Sequence, residues 1–151
     1  MNRIRKSLMV VSVTALSLTA LVPLASARGL GGFGGKAADA TQESSFSEYW
    51  NAVVYNGSGT ARWDVPLVID ALGTLNVTAY VYVNGVSSNV SCSTQSVGPD
   101  SMSKSNTVWV SPPVGNAWTS VFPGPVTGFV DGSLEISCFL GTGSKLQTVT
   151  W

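Results

Sequence analysis

The clearest pattern of apolar and polar residues lies in residues 74–83. Every second side chain there is apolar, and the intervening positions are polar or tyrosine. A period of two residues is that of a half-buried β-strand, because successive side chains point to opposite faces. One face of this strand should therefore pack in the core, and the other, with Tyr80 and Tyr82, should meet water.

Further segments share this character. They are rich in β-branched and aromatic residues and are separated by Gly, Pro, Asn and Ser, which predicts short strands joined by tight turns. These predicted strands are residues 49–55, 61–70, 86–96, 107–111, 133–140 and 145–151. Together with residues 74–83 they make seven or eight strands, and no helix is predicted after residue 27. The predicted fold class is therefore all-β, a single antiparallel β-sandwich.

Two glycine-containing turns predict β-hairpins. Asn84-Gly85 directly follows the alternating strand and is the strongest short hairpin signal, so residues 86–96 should return antiparallel beside that strand. Residues 141–144, Gly-Thr-Gly-Ser, should connect the last two strands in the same way. Both pairs of strands are thus expected to be sheet neighbours.

Two longer segments are interpreted as loops. Residues 97–106 are polar and contain Gly98-Pro99-Asp100, and residues 114–132 combine two prolines with four glycines. The second loop carries Trp118, and we expect it either to pack over one end of the sandwich or to form a contact surface. Pro66, inside a predicted strand, indicates an edge position or a bulge.

The chain has two cysteines, and both lie on the apolar phase of an alternating segment. Cys92 follows this phase from Val90, and Cys138 continues it from Ile136 to Leu140. Inward-facing cysteines in an exported chain favour a single bridge. We therefore predict a Cys92–Cys138 disulfide that joins two strands of the domain.

The N-terminal region divides into two expected parts. Residues 1–27 have a basic start, an apolar run and the small-residue sequence Ala25-Ser26-Ala27, which is the layout of a secretory signal peptide. Residues 28–45 contain five glycines within residues 29–35, and residues 36–45 are small and polar, which predicts a flexible leader. The β-sandwich domain is expected to span residues 46–151, in a secreted or periplasmic protein with no transmembrane segment after signal cleavage.

Charge excludes one class of partner. The whole chain has eight basic and eight acidic residues, but three of the basic ones lie in the predicted signal peptide. The mature chain is then near minus three, and its few cations form no cluster. The mature chain therefore lacks the patch of basic residues that binds nucleic-acid phosphates, so no nucleic-acid partner is expected.

Four short segments resemble those of a loose group of small, uncharacterised exported bacterial proteins. Residues 64–70 are similar to that group's segment of Cys-Pro, two apolar residues and an acidic turn. Residues 90–94 resemble its central Ser-Cys-Thr strand, residues 134–140 its late cysteine strand, and residues 143–146 the turn that follows.

The resemblance covers residues 49–151. Val65 stands where the group usually has a cysteine, which implies that one of two bridges is lost and the late pair remains. The group has no assigned activity, so the resemblance implies fold and export only.

Catalytic chemistry has few candidate residues. The chain contains no histidine, which removes the usual general base and the commonest metal ligand. Paired carboxylates remain, and a small hydrolase would most plausibly use Asp64, Asp70 or Glu135. Turn acids and solvated strand positions are the simpler interpretation of these residues. No catalytic residue, cofactor or metal ligand is therefore assigned, and the protein is expected not to be an enzyme.

Aromatic residues give the remaining functional lead. The chain has five tryptophans and four tyrosines, of which Tyr80, Tyr82 and Trp118 are expected on polar or loop positions. Exposed rings stack against sugars or dock a protein partner, whereas buried rings fill the core. The predicted function is a non-enzymatic binding or structural protein of unknown ligand. A carbohydrate-binding module that uses these three aromatics is its first specific version, and a module that binds an envelope or extracellular protein is another.

Overall fold

The computed structural model describes residues 28–69, 72–85 and 89–151. These residues form thirteen β-strands and two short 3-10 helices, Gly32–Gly34 and Ala40–Ser45. The strands are β1 (Gly29–Gly31), β2 (Lys36–Ala37), β3 (Phe46–Tyr49), β4 (Ala52–Tyr55), β5 (Thr60–Leu67), β6 (Gly73–Asn76), β7 (Thr78–Val83), β8 (Ser91–Val97), β9 (Lys104–Asn106), β10 (Ala117–Val121), β11 (Pro125–Gly128), β12 (Ser133–Gly141) and β13 (Lys145–Thr150). The predicted signal peptide, residues 1–27, lies outside the described residues.

The strands form two main antiparallel sheets. Sheet A has the order β10–β7–β13–β4–β3, and β1 pairs with the C-terminal half of β13. Sheet B has the order β2–β5–β12–β8–β9, and β6 pairs with β11 as a separate two-stranded ribbon. The predicted all-β, antiparallel sandwich is confirmed, although its strands are shorter and more numerous than the seven or eight expected.

The core lies between the two sheets. Sheet B contributes inward side chains such as Trp63 and Ile136, and sheet A contributes Val81 and Leu146; all four are fully buried. A bulge between Leu146 and Thr148 shifts the register of β13, so Leu146 and Val149, three residues apart, both reach the core. Burial of these branched and aromatic side chains is the main stabilising contribution to the sandwich.

The predicted disulfide between Cys92 and Cys138 is confirmed. The two cysteines face each other across β8 and β12, with their Cα atoms 4.1 Å apart. Cys92 exchanges both of its backbone hydrogen bonds with Val110 on its other side. The cysteine pair is therefore a non-hydrogen-bonded pair, the kind in which opposing side chains lie closest. The bridge joins two strands of sheet B, with both cysteines facing the core.

Both predicted hairpins are wrong. Strand β7 lies in sheet A, whereas β8 lies in sheet B, so the chain crosses between sheets after Asn84-Gly85. The turn at residues 141–144 does the same, because β12 belongs to sheet B and β13 to sheet A. The two crossings meet at one end of the sandwich, where Asn84 Nδ2 donates a hydrogen bond to the carbonyl of Thr142 at 3.0 Å.

The flexible leader predicted for residues 28–45 is corrected by the structure. Strand β1 pairs with β13 and β2 pairs with β5, so this segment adds a strand to each sheet. Between them, the carbonyl of Gly32 accepts a hydrogen bond of 2.7 Å from Nε1 of the fully buried Trp63. A Cβ on Gly32 would collide with the carbonyl group of Leu146. Gly32 therefore serves close packing and not chain freedom.

Several predicted boundaries also change. Residues 49–55, expected as one strand, contain the last residue of β3, a turn at residues 50–51 and β4. The strand expected at residues 74–83 divides at the buried Val77 into β6 and β7. The loop expected at residues 114–132 contains β10 and β11, so Trp118 lies on a strand. The strand expected at residues 107–111 does not form. This segment runs beside β8 and pairs with it at the isolated Cys92–Val110 bridge.

Pro66 lies in the part of β5 beyond the short partner β2, where no strand among the described residues pairs with that edge. This position confirms the edge placement expected for proline. No helix among the described residues is long and apolar enough to cross a membrane.

Candidate functional site

The three predicted aromatics lie together on the outer face of sheet A. Ala79, Val81 and Val83 of β7 point into the core, so the alternation turns Tyr80 and Tyr82 outward. Strand β10 runs antiparallel beside β7 and places Trp118 directly opposite Tyr82. This strand register brings the rings together, although Trp118 lies more than thirty residues from the two tyrosines in the sequence.

The rings contact one another closely. The Tyr80 and Trp118 centroids are 5.3 Å apart with ring planes 15° from parallel, which is a stacked pair. The Tyr82 and Trp118 centroids are 5.4 Å apart at 59°, a tilted pair. Both geometries suit the quadrupoles of aromatic rings. Since 38% of Trp118 and 36% of Tyr80 remain exposed, the cluster is a partly open surface and not a filled core.

A groove of about 250 Å³ lies beside this cluster. Trp118 lines one part of it and Tyr49, from β3, lines another. Ala52 and Val54 also line the groove; both are buried, although they alternate with the core residue Val53 and so belong to the outer face. The outer face of sheet A therefore carries a groove with a small apolar floor and aromatic walls.

Lys145 supplies the positive charge of this groove. It pairs across the sheet with Tyr82 on one side and Val54 on the other. Its Nζ lies 5.5 Å from the centroid of Tyr82, within the range of a cation–π contact. Tyr82 is thus held between Trp118 and Lys145. The face combines flat rings with an ammonium donor and the side-chain amide of Asn51.

Lys145 and Tyr49 line the groove but are not among the site residues predicted from the sequence. Lys145 is the first outward-facing residue of β13, and the alternation of side chains along that strand is a signal for it in the sequence. Its cross-strand partners lie on β7 and β4, and they can be known only from the strand order. Tyr49 was assigned to a strand that turned out to be two. Local sequence spacing predicts neither the cross-strand partners of Lys145 nor the division of the strand that contains Tyr49.

Two of the three candidate carboxylates lie on the outer face of sheet B. Asp64 on β5 is opposite Ser137 of β12, and Glu135 lies two positions earlier on β12. Such diagonal neighbours lie about 7–8 Å apart. Asp64 is only 5% exposed, and its Oδ2 accepts a hydrogen bond of 3.0 Å from Arg62 Nη2. Asp70 lies outside the described residues.

Glu135 has a shifted pKa. Burial of its carboxyl group raises the pKa above the usual value, and the nearby charge of Asp64 raises it further. Both effects disfavour the ionised form. The Ser137 hydroxyl, 3.3 Å from Glu135 Oε1, acts in the opposite direction. The two carboxylates are thus electrostatically coupled, with Asp64 paired to arginine.

Metal-binding geometry is not found in the part of the chain that the structure describes. No group of three or more Cys, Asp or Glu side chains converges there. Asp100 instead caps a turn, since its carboxylate accepts hydrogen bonds from Met102 and Ser103. These bonds, that to the Ser103 backbone first, lower the pKa of Asp100.

No protein-family profile matches the chain. No curated protein sequence is significantly similar to it. Similarity is found among solved structures.

One similar structure is the carbohydrate-binding module CBM6cm-2 from Cellvibrio mixtus lichenase 5A, in complex with cellotriose. It has a TM-score of 0.51 and 11% identity, over 82% of this chain and 94% of that module. Another is the Podospora anserina GH26-CBM35 β-(1,4)-mannanase, with a TM-score of 0.51 and 13% identity over 82% of this chain and 27% of that enzyme. At these identities the likeness shows a shared β-sandwich fold.

Proposed function

We propose that this chain is a non-catalytic carbohydrate-binding module that holds a glycan on the outer face of sheet A. The observation that carries the proposal is the cluster of Tyr80, Tyr82 and Trp118 beside a groove of about 250 Å³. Pyranose rings present flat C–H faces with hydroxyl groups at their edges. A suitable site offers aromatic faces flanked by hydrogen-bonding groups, as this face does.

The comparisons support the proposal at the level of fold. One structure of the same architecture is a carbohydrate-binding module with cellotriose bound. Cellotriose is the ligand of that other protein, and the sequence identity between that protein and the present chain is only 11%. The aromatic cluster is an independent argument, since it comes from this chain's own strand register.

We propose a neutral glycan as the ligand of this face, because one ammonium group is little charge for binding a strongly acidic glycan. The groove has a single cation, Lys145, among its lining residues. The other polar groups there are the phenol of Tyr49 and the amide of Asn51. Amides and phenols match hydroxyl groups, because each both donates and accepts hydrogen bonds.

A hydrolase based on paired carboxylates is less well supported. Glu135 has the raised pKa that a general acid needs. Asp64, however, is 5% exposed and its Oδ2 is held by Arg62. A nucleophile or base must reach the sugar or its attacking water, and a buried ion-paired carboxylate is poorly placed for that task. We therefore expect no release of reducing sugar from bound glycans.

The proposal places the protein outside the cytoplasm. The Cys92–Cys138 bridge fits an oxidising compartment, where structural disulfides persist. Glycans of cell walls and extracellular matrices are accessible there. Export through residues 1–27 is part of this proposal, and N-terminal sequencing of the mature protein would test it.

A glycan array tests the function directly. The purified protein is expected to bind one class of neutral oligosaccharide on an array that includes cellotriose and β-1,4-mannotriose. Binding should quench or shift tryptophan fluorescence, and Trp118→Ala should remove binding to the same spots. The absence of binding to every neutral glycan, or undiminished binding by the Trp118→Ala variant, would refute the proposal.

A further inference from the structure

A second cleft, of about 210 Å³, lies on the outer face of sheet B, on the opposite side of the sandwich. Glu135 of β12 pairs with Gln95 of β8, which in turn pairs with Asn106 of β9. This register sets a carboxyl group and two carboxamides in one row across three strands. With strands about 4.8 Å apart, the row is about 10 Å long. We define the polar row as Glu135, Gln95 and Asn106.

An aromatic wall borders the polar row. Trp109 lines the cleft, and its ring centroid lies 4.9 Å from that of Phe139 at a tilt of 42°. Trp109 remains 46% exposed, so its ring is accessible. Planar polar side chains beside an accessible indole form a different surface from the groove on sheet A, which is floored by Ala52 and Val54.

The Arg62–Asp64 ion pair lies on the β5 side of the cleft. Arg62 lines the cleft and is tied to Asp64 through Nη2. Arg62 Nε and Asp64 Oδ1 are buried and have no hydrogen-bond partner among the described residues. Most buried polar atoms in proteins are paired, so two unpaired atoms within one ion pair are unusual. This observation is independent of the aromatic wall.

The charges disfavour an anionic ligand. Arg62 is neutralised by Asp64 at 3.0 Å, which leaves Glu135 as the ionisable group of the polar row. The pKa of Glu135 is already raised by burial and by Asp64. A ligand anion would add a further negative charge close to both carboxylates, which is unfavourable. A neutral ligand that offers hydroxyl groups avoids this cost.

The size of the cleft limits the ligand further. Sites for drug-sized molecules measure about 300–1,000 Å³. A cleft of about 210 Å³ is smaller and matches one unit of a longer chain. Carboxamide and carboxyl groups each present two polar atoms in a plane, which suits two adjacent hydroxyl groups.

We infer that the cleft formed by the polar row and Trp109 is a second saccharide site, which takes one neutral sugar unit. It extends the proposed function to a second face, because the sites lie on opposite sheets and can engage two glycan chains. Stacking on Trp109 and hydrogen bonds to Gln95 and Asn106 would hold the sugar. The two faces share no lining residue, so each can be removed separately.

NMR spectroscopy of the folded, ¹⁵N-labelled protein separates the two sites. Cellotriose and β-1,4-mannotriose are titrated while the indole N–H signals of Trp109 and Trp118 are followed. We expect both signals to shift, with different midpoints. Trp109→Ala removes its own indole signal, so in this variant the side-chain amide signals of Gln95 and Asn106 report on sheet B. It should weaken binding there about tenfold or more, the effect typical of a central aromatic contact, and leave the Trp118 titration unchanged. Gln95→Ala, an exposed position, is the second variant if Trp109→Ala folds poorly.

The outcomes distinguish the two proposals. A shift of Trp118 alone overturns the second site and leaves the proposed function intact. A Trp109 shift that disappears in Trp118→Ala indicates one site and also overturns the inference. A Trp109 shift that persists in Trp118→Ala and is lost in Gln95→Ala supports it. If neither indole responds to either sugar, both proposals fail for these ligands. Trp50→Ala, an exposed residue that lines neither cleft, is the matched control.

Discussion

Tyr80 and Trp118 stack across neighbouring strands of sheet A, with their ring centroids 5.3 Å apart and their planes 15° from parallel. The contact is diagonal, since Trp118 is directly opposite Tyr82 and Tyr80 is opposite Ser120. A diagonal pair of large rings fixes the orientation of both without burying either completely. More than a third of each side chain remains exposed for a ligand. A partly open, pre-oriented surface lowers the entropy lost on binding.

The disulfide should contribute a large part of the stability. Cys92 and Cys138 are 46 residues apart, and closing such a loop destabilises the unfolded chain by about 4 kcal/mol in the chain-entropy model. Thermal unfolding with and without a reductant should show a much lower midpoint after reduction. The Cys92→Ala, Cys138→Ala double variant should unfold at a similar low temperature and be insensitive to reductant. Equal midpoints for the oxidised and reduced protein would contradict this assignment.

Gly32 should tolerate no side chain. A Cβ there would overlap the backbone of Leu146, whereas a Cβ on Gly29 would make ordinary contacts at 3.7 Å. Gly32→Ala should therefore cost about 1–3 kcal/mol through overpacking. Gly29→Ala, the matched control, should change stability by less than about 0.5 kcal/mol. Chemical denaturation measures both. A wild-type value for Gly32→Ala would mean that residues 28–45 behave as the flexible leader the sequence predicted.

Thr94 carries a hydroxyl group with no partner. The residue is fully buried in sheet B, and its Oγ1 makes no hydrogen bond among the described residues. An unpaired buried polar group costs about 1–3 kcal/mol, so the isosteric change Thr94→Val should stabilise the protein.

Thr107→Val is the control for Thr94→Val. The Thr107 hydroxyl accepts a hydrogen bond of 2.8 Å from the Thr94 amide, so its loss should destabilise. Calorimetric melting should move in opposite directions for the two variants. A lowered melting temperature for Thr94→Val would contradict the unpaired assignment.

Glu135 should make stability depend on pH. Its pKa in the folded protein is above the ordinary value of 4.5, so folding favours the protonated form. The contribution to stability is then complete below about pH 4.5 and is lost as pH rises through the folded pKa. Glu135→Gln should raise the melting temperature relative to wild type at pH 7 and less at pH 4. The same difference at both pH values would show that the carboxyl group is not disfavoured by its surroundings.

The alternation of apolar and polar residues predicted the face of the strand on which a side chain lies better than it predicted which strands are neighbours. The alternation in residues 74–83 correctly placed Tyr80 and Tyr82 outward, because side-chain direction is a local property of a strand. The predicted sheet neighbour of β7 was wrong, because β8 lies in sheet B and β7 pairs with β10 and β13 in sheet A. Gly85 and Gly143 have a positive φ at the two crossings between sheets, and two-residue hairpin turns use the same backbone conformation. Local turn chemistry does not distinguish the two, and strand order depends on the packing of the whole core.

The N-terminal glycines illustrate the same limit. A high glycine content usually indicates a flexible segment, because glycine loses the most backbone entropy on folding. Here Gly32 approaches the backbone of Leu146, more than a hundred residues later. The cysteine pair was predictable because only one pairing of two cysteines exists. The groove beside Trp118 was not, since its walls come from β3, β10 and β13, whose order no local pattern specifies.

Isothermal titration calorimetry of Trp118→Ala tests the central claim most directly. Wild type, Trp118→Ala and Trp50→Ala are titrated with the best oligosaccharide from the array, after circular dichroism has shown that all three are folded. Trp50 is 87% exposed and lies outside both clefts, so its loss controls for removal of a surface indole. We predict that Trp50→Ala binds like wild type and that the affinity of the sheet A site falls at least about tenfold in Trp118→Ala. Equal affinities for all three proteins would contradict glycan binding on the Tyr80, Tyr82 and Trp118 face.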